Sequence, residues 1–289
     1  MRLLNASTKS VKGFVDSILQ YTVLSHTWDT DEITYQDILA PGGTVNKAGW
    51  AKVHGVCEKA KEHGYEYIWI DTCCIDKSSS AELSEAINSM LKWYRYAEVC
   101  YAYLSDMVPA KGGTVLSNGR WFTRGWTLQE LIAPERMGFY NADWNYIGEK
   151  ESFADQISTI TGIPKTILVD AYSLWSTSIA CRMSWAAKRK TTRVEDMAYY
   201  LVGLFGVNMP LLYGEGEKAF LRLQEEIIKI SDDQSILAWD LDTNPYRVSV
   251  LAQTPFDFLN SSNIIPIPRN PDHGPFTMTH MGLSIRLPM

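Results

Sequence analysis

Apolar residues fall into four short runs across the first half of the chain, and segments with helical periodicity lie between them. The runs occupy residues 21–26, 65–71, 98–104 and 136–140. Their length and apolar character are typical of buried strands. Segments 46–63 and 79–97 place apolar residues at helical spacing, and Gly64 ends the first of them. Strands that alternate with helices predict an α/β fold, in which a parallel sheet is wrapped by helices.

The second half of the chain has a different pattern, which predicts helices followed by irregular structure. The helical segments are residues 153–160, 179–188, 194–205 and 217–230. From about residue 237 the chain turns to Pro, Asn and short apolar runs, and residues 281–287 are predicted to form a strand. Because a domain seldom ends so soon after a strand, we expect the natural chain to continue past Met289.

No flexible linker separates the two halves, so the sequence predicts one domain rather than two. We expect this domain to cover residues 1–289, with an α/β core at residues 18–145. Residues 146–289 are expected to form a second half, first helical and then rich in strand and loop, that packs on this core.

Composition and charge argue against several classes of function. The 289 residues are 46% hydrophobic and 21% charged, and the net charge of −6 argues against a nucleic-acid partner. No apolar run approaches the ~20 residues that a membrane-spanning helix needs, and a secretory signal is not evident. The five cysteines mostly lie in apolar segments, which predicts free thiols in a reducing cytosol. Without a C-x-x-C or H-x-x-x-H motif, no metal site is predicted.

The stretch SNGRWFTRGWTLQELIAP, residues 117–134, carries the strongest candidate for chemistry. On a helix, Trp126 and Glu130 are four residues apart and therefore neighbours, on the face opposite the apolar stripe. A carboxylate beside an indole on this outer face is suited to binding a ligand. The alternative is that Thr127 and Glu130 form a capping box, in which the carboxylate only closes the start of the helix.

Polar residues also follow two of the predicted strands, at the edge where parallel strands deliver functional groups. Ser25, His26 and Trp28 stand at the end of the first strand. The segment TCCIDKSSS follows the second, and Lys77 with its neighbouring serines is suited to holding a phosphate at a helix start. The simpler interpretations are a histidine hydrogen-bonded at a strand end and a helix cap at Ser79.

Several long blocks, in order along most of the chain, resemble the HET domain, the fungal heterokaryon-incompatibility module. They are MRLLN, YTVLSHTWDTDEITYQDI, GYEYIWIDTCCIDKSSSAELSEAINSMLKWYRYAEVCYAYLSD, RWFTRGWTLQELIAP and EDMAYYLVGLFGVNMPLLYGEGEKAFLRLQEEIIKISDDQSILAW. One departure is Asp29, where the family often has Gly. The resemblance implies a cytoplasmic cell-death effector, commonly joined to larger nucleotide-binding receptor domains, that acts when incompatible fungal individuals fuse.

HET domains are in turn similar to TIR domains, many of which hydrolyse NAD+, and this likeness implies a TIR-like, flavodoxin-like sheet. The TIR pattern matches a strand that ends in Ser25-His26 and a second strand that ends in Asp71. The TIR signature W-C-x-x-E-L corresponds here to WTLQEL, in which Thr127 replaces the cysteine. The glutamate of that signature is catalytic in TIR domains, so Glu130 is the implied catalytic residue.

Hydrolysis of NAD+ needs only one such carboxylate. Nicotinamide leaves from a nitrogen that is already cationic, so a general acid is not required, and one carboxylate can stabilise the ribosyl cation. The resemblance to TIR domains thus implies NAD+ or a related nucleotide as the substrate, with no further cofactor. The residues expected to bind it are Ser25, His26, Trp28, Asp71, Cys73, Lys77, Arg124 and Trp126.

Two other functions also fit the sequence. His26 and Cys73 follow neighbouring predicted strands, as the dyad of a caspase-like cysteine peptidase does. Alternatively, the domain is a non-enzymatic signalling module that only self-associates or recruits partners, because TIR-like domains often work by assembling. Self-association is expected of a NAD+-hydrolysing effector as well.

Overall fold

The computed structural model describes residues 1–15, 20–40, 47–107, 116, 119–239, 249–266, 277–279 and 282–284. Within these residues a seven-stranded sheet is surrounded by helices, which confirms the predicted α/β class. Of the predicted strand 281–287, the segment Gly282–Ser284 is present. The ends of that strand lie outside the described residues.

The strands of the large sheet include all four that the apolar runs predict. They are β1 (Arg2–Asn5), β2 (Val11–Gly13), β3 (Tyr21–His26), β4 (Tyr67–Trp69), β5 (Val99–Leu104), β6 (Met137–Asn141) and β7 (Tyr146–Glu149). Their order across the sheet is β2-β1-β4-β3-β5-β6-β7, and the predicted strands β3 to β6 pair in parallel. A separate antiparallel hairpin joins β8 (Thr277–Thr279) to β9 (Gly282–Ser284).

Three further strands, which the apolar runs do not predict, make the sheet mixed. β1 pairs antiparallel with β4 and with β2, and β7 pairs antiparallel with β6. β1, β2 and β7 are only three or four residues long. Segments this short do not show enough of the two-residue strand period to be distinguished from loops in the sequence.

The order of the four parallel strands places a crevice at the end of β3. β3 lies between β4 and β5. The connection from β3 to β4 and the connection from β4 to β5 therefore run in opposite directions and lie on opposite sides of the sheet. In open α/β sheets of this flavodoxin-type order, ligands bind outside the carboxyl ends of the strands at this point. His26 ends β3, and Asp71 begins the helix that follows β4.

Helices surround the sheet in both halves of the described chain. Those of the first half are α1 (Tyr35–Leu39), α2 (Trp50–Glu62), α3 (Asp71–Cys74), α4 (Ser80–Arg95), α5 (Arg120–Thr123) and α6 (Thr127–Ile132). Those of the second half are α7 (Ala154–Thr161), α8 (Lys165–Val169), α9 (Ile179–Ser184), α10 (Asp196–Tyr199), α11 (Val202–Phe205) and α12 (Lys218–Ile230). Short 3-10 helices occupy Ala171–Ser176, Gln234–Leu237 and Pro255–Phe258.

The continuous helix predicted at residues 194–205 is in fact two short helices, α10 and α11. The break occurs because the Tyr200 carbonyl accepts a hydrogen bond of 2.6 Å from Gln129 Nε2 on α6. Gly203 also packs too closely for any side chain, since a Cβ there would lie 2.5 Å from Gln129 Oε1. Tertiary contacts with α6 thus override the helical pattern of this segment, and Gly206 ends α11 at a φ of 68°.

Buried apolar side chains from both halves of the chain form one core. Among the described residues, no helix combines the length and the apolar character that crossing a bilayer would require. All five cysteines are buried and unpaired, which confirms the prediction of free thiols.

Gly125 provides a test of how tightly the two halves pack. A Cβ at this position would lie 2.6 Å from the Tyr200 ring and 2.7 Å from Thr191 Cγ2. Tyr200 is fully buried and cannot move aside, so Gly125→Ala is expected to lower the free energy of unfolding by about 1–3 kcal/mol. Urea denaturation monitored by tryptophan fluorescence measures this change.

The matched control is Gly13→Ala on the edge strand β2, where a Cβ would meet nothing within 4 Å. This variant should retain the stability of the parent protein. Equal stability of the two variants would contradict the close packing at Gly125.

Candidate functional site

A cavity of about 510 Å³ opens at the carboxyl ends of β3 and β4. Its volume lies in the range of small-molecule sites, roughly 300–1,000 Å³. His26 and Asp71 line it from the strand ends, Glu130 lines it from α6, and the apolar face of α4 closes one side. The predicted crevice of the doubly wound sheet is therefore present, and the candidate carboxylate faces it.

Glu130 is almost wholly buried, with 4% of its surface exposed. The Ser25 hydroxyl donates a hydrogen bond of 2.5 Å to Glu130 Oε2, and Trp121 Nε1 donates to Ser25 Oγ at 2.9 Å. Burial raises the pKa of the Glu130 carboxyl to about 8, and the negative charge of Asp71 adds to the rise. The hydrogen bonds from Ser25 and Tyr94 oppose it.

The capping-box interpretation of Thr127 and Glu130 is wrong. α6 begins after Trp126 without any side-chain cap, and Thr127 Oγ1 donates its hydrogen bond to the Trp121 carbonyl at 2.5 Å. The prediction that Glu130 lies on an outer face is also wrong, because every residue of α6 is buried. The helix has no solvent face, and Glu130 with Trp126 contacts the cavity instead.

His26, Trp28, Asp71 and Lys77 form a connected cluster on one side of the cavity. Asp71 Oδ2 accepts a hydrogen bond of 2.8 Å from Trp28 Nε1, and Asp71 Oδ1 lies 3.0 Å from His26 Nε2. Burial alone would raise the pKa of Asp71. The hydrogen bond and charge of His26, the charge of Lys77 and the hydrogen bond from Trp28 outweigh burial and lower this pKa to about 2. Asp71 is therefore a fixed anion at neutral pH.

Lys77 lies over the indole of Trp28, with its Nζ 3.4 Å from the ring centroid. Burial lowers the pKa of this ammonium, and the nearby Asp71 carboxylate opposes that effect. The indole of Trp28 is thus held between an anion at its ring nitrogen and a cation at its face. Such a contact of a cation with a tryptophan ring is worth about 0.5–2 kcal/mol.

The opposite side of the cavity is formed by residues from both halves of the chain. Trp126 Nε1 lies 3.4 Å from Asp196 Oδ2, and the Tyr213 hydroxyl donates to Asp196 Oδ1 at 3.0 Å. Arg193 stacks on the Tyr213 ring at 4.5 Å, and Arg124 Nη2 donates to Thr192 Oγ1 at 3.1 Å. This side therefore carries two arginines and two further aromatic rings.

The sequence reasoning missed the contribution of Thr192, Arg193, Asp196 and Tyr213 to the cavity. A signal was available for one of them, since Asp196 is one of two adjacent carboxylates, with Glu195, in the largely apolar segment 194–205. Burial raises the pKa of the Asp196 carboxyl, and its bonds to Tyr213 and Trp126 oppose that rise. Tyr213 had no such signal, because only the fold brings its loop to the cavity.

Two residues expected to bind substrate do not line the cavity. Ser25 lies behind Glu130 and holds it in place through the hydrogen bond described above. Cys73 is fully buried, and its thiol donates to the Ile33 carbonyl at 3.4 Å. Burial raises the pKa of this thiol well above 9, whereas a nucleophilic cysteine needs a lowered pKa. Since His26 pairs with Asp71, the dyad of a cysteine peptidase is not assembled.

Arg189, from the second half of the chain, fixes the start of α6. Its Nη1 donates to the Arg124 carbonyl at 2.8 Å and to Thr127 Oγ1 at 3.0 Å. Burial lowers the pKa of this guanidinium to about 10, and the charge of Glu130 opposes that effect. At the other end of α6, Lys150 Nζ donates to the carbonyls of Leu131 and Pro134.

The arrangement suits a ligand that carries both a positive centre and phosphates. Glu130 and Asp71 provide acidic groups in the interior, Lys77 and Arg124 provide cations on opposite sides, and Trp28 and Trp126 provide flat apolar surfaces. Among the described residues, no group of three or more His, Cys, Asp or Glu side chains is arranged to hold a metal ion.

Comparison with known proteins supports the resemblance of the sequence blocks to the HET domain. The family model described as heterokaryon incompatibility protein (HET) matches residues 21–120. The vegetative incompatibility protein HET-E-1 of Podospora anserina is 46% identical over 229 residues, which cover 75% of this chain and 16% of that protein. The chain thus spans about a sixth of the length of this relative. No solved structure matches the chain significantly.

Replacement of Glu130 by glutamine is expected to stabilise the folded protein at pH 8 and to change little at pH 4. The pKa of Glu130 rises from 4.5 to about 8 on folding. Between these values the native state binds more protons than the unfolded state, so the free energy of unfolding falls as the pH rises. Glutamine removes the ionisation and keeps an acceptor for Ser25, so the gain at pH 8 is on the order of a few kcal/mol.

Urea denaturation at pH 4, 6 and 8 measures this effect, with Glu151→Gln at an exposed glutamate as the matched control. The control should keep the pH dependence of the parent protein. An unchanged pH dependence in Glu130→Gln would mean that Glu130 does not carry the raised pKa.

Proposed function

Because this chain carries a heterokaryon incompatibility (HET) domain, we propose that it is a cell-death effector of fungal incompatibility whose cavity hydrolyses NAD+. The products are nicotinamide and ADP-ribose. The observation that carries the proposal is the position of Glu130, a buried carboxyl group that lines a cavity of about 510 Å³. The implied relation to TIR domains supports the same residue as the catalytic one.

The proposed reaction uses Glu130 as an anion. Departure of nicotinamide leaves a positive charge on the ribose, and a carboxylate held beside it stabilises that charge in a water-poor site. In the free protein, a pKa of about 8 keeps most of the Glu130 carboxyl protonated at pH 7. Entry of the cationic nicotinamide ring favours ionisation, because an opposite charge nearby lowers the pKa of an acid. The carboxylate would then form where the reaction needs it.

The two sides of the cavity supply the remaining roles. In this proposal Trp28 and Trp126, which line the cavity, stack on the nicotinamide and adenine rings. Lys77 and Arg124 also line the cavity and are proposed to pair with the two phosphates. His26 and Asp71 are proposed to bind ribose hydroxyls. Ser25 acts through Glu130, since its hydroxyl lowers the pKa of that carboxyl without lining the cavity itself.

Turnover of NAD+ by the purified protein tests this proposal. Incubation should release nicotinamide and ADP-ribose, and Glu130→Gln should lower kcat by about 100-fold or more, as the loss of one stabilising group in an active site does. Chromatography of the products measures both. The matched control, Glu151→Gln on the surface, should hydrolyse NAD+ at the parent rate.

The same assay must be run on the protein fused to an oligomerising scaffold, because assembly can complete a site that the monomer leaves inactive. Absence of turnover in both forms would refute hydrolysis and favour a module that only self-associates. Equal turnover by Glu130→Gln and the parent would remove Glu130 from the mechanism.

The pH profile of hydrolysis is expected to follow the ionisation of Glu130. Since the carboxylate is the active form and its pKa is about 8 in the free protein, kcat/KM should rise with pH and level off above that value. Ser25→Ala removes a hydrogen bond that favours the carboxylate, so the profile should move to higher pH and the rate at pH 7 should fall.

A matched control for this shift is Ser152→Ala, which removes an exposed hydroxyl that donates to the Glu149 carbonyl. Its profile should superimpose on that of the parent protein. A Ser25→Ala profile shifted to lower pH would contradict the role of the Ser25 hydroxyl.

A further inference from the structure

Thr192 places an exposed hydroxyl at the edge of the cavity. It lines the cavity and is also exposed to solvent. Its Oγ1 accepts a hydrogen bond of 3.1 Å from Arg124 Nη2, the arginine proposed above to bind a substrate phosphate. A chemical group added to this hydroxyl would therefore lie between solvent and the substrate-binding arginine.

The surroundings of Thr192 are strongly basic. Arg193 follows it directly and lies over the ring of Tyr213, another residue of the cavity. Lys188 and Lys190 are exposed on the same loop, whereas Arg189 is turned inward to α6. A threonine preceded by exposed lysines is the kind of acceptor that basic-directed protein kinases select.

We propose that Thr192 is a phosphorylation site for a basic-directed Ser/Thr kinase, and that its phosphate closes the cavity to nucleotides. The regulatory consequence rests on the proposed function, because it assumes that the substrate carries phosphates. The site itself rests on the exposed hydroxyl, its bond to Arg124 and the basic loop.

The modification is an ordinary phosphoryl transfer. Thr192 Oγ1 forms a bond to the γ-phosphorus of ATP, and the bond from that phosphorus to the β–γ bridging oxygen breaks. The hydroxyl proton passes to the base of the kinase, and ADP leaves. The product carries about two negative charges and three acceptor oxygens at neutral pH.

The new phosphate would use the cations that the substrate needs. Arg124 already contacts Thr192 Oγ1, and guanidinium groups bind phosphate through paired, charge-assisted hydrogen bonds. Arg193 is the adjacent residue and supplies a second guanidinium. With these arginines neutralised and a dianion at the cavity edge, a diphosphate is repelled from the position that it would otherwise occupy.

The test uses inorganic pyrophosphate as the probe, because its binding does not depend on hydrolysis of NAD+. The folded protein is treated with the catalytic domain of a basic-directed kinase and Mg-ATP, and the modified residue is located by mass spectrometry. We expect phosphate on Thr192 and a Kd for pyrophosphate raised about tenfold or more, measured by calorimetry. Thr192→Glu should raise the Kd in the same direction.

Two variants control the result. In Thr192→Ala, kinase treatment should no longer change the Kd for pyrophosphate. In Thr191→Ala, which removes the neighbouring hydroxyl bonded to the Arg193 carbonyl, treatment should raise the Kd as it does in the parent protein.

Failure of this inference is distinct from failure of NAD+ hydrolysis. If the kinase modifies a free peptide of residues 186–197 but leaves Thr192 of the folded protein unmodified, the site is refuted. If Thr192 is modified and pyrophosphate binding is unchanged, closure of the cavity is refuted. A protein that binds pyrophosphate only when unmodified but never hydrolyses NAD+ would retain this inference and lose the proposed reaction.

Discussion

The hydrogen bond between Ser25 and Glu130 is the interaction on which the site depends. It connects β3 to α6 across 105 positions of sequence, and it gives a buried acid the partner without which its burial would be costly. A six-residue helix such as α6 is too short to be stable alone. Contacts from Ser25, Lys150 and Arg189, all distant in sequence, hold it against the sheet.

The parts of the molecule that the sequence could predict are those with a clear local pattern. Strands β3 to β6 were found because each is an apolar run bounded by polar segments, and α2, α4 and α12 because their apolar stripes are long. His26, Asp71 and Glu130, which line the cavity, are predicted from the strand ends and from the implied resemblance to TIR domains. Their approach to one cavity follows from the order of the parallel strands.

What the sequence could not supply is the set of contacts that only tertiary structure creates. Thr127 and Glu130 have the spacing of a capping box, yet the hydroxyl bonds the Trp121 carbonyl and the carboxyl bonds Ser25. Cys73 follows a strand like a nucleophile, but its thiol is buried against Ile33. Tyr213 reaches the cavity from a loop more than eighty residues after α6. In each case a distant partner, absent from the local pattern, decides what the side chain does.

Backbone pairing between the two halves limits where the domain can be divided. Arg124 pairs with Lys190 in a short parallel bridge, in which the Gly125 amide donates to the Lys190 carbonyl and the Lys190 amide donates to the Thr123 carbonyl. The matched family region stops at residue 120, before either half of this bridge. An expression boundary drawn there would leave out α6 with its acid and expose the apolar surface that the later helices cover. The unit that folds is therefore longer than the region that the family model matches.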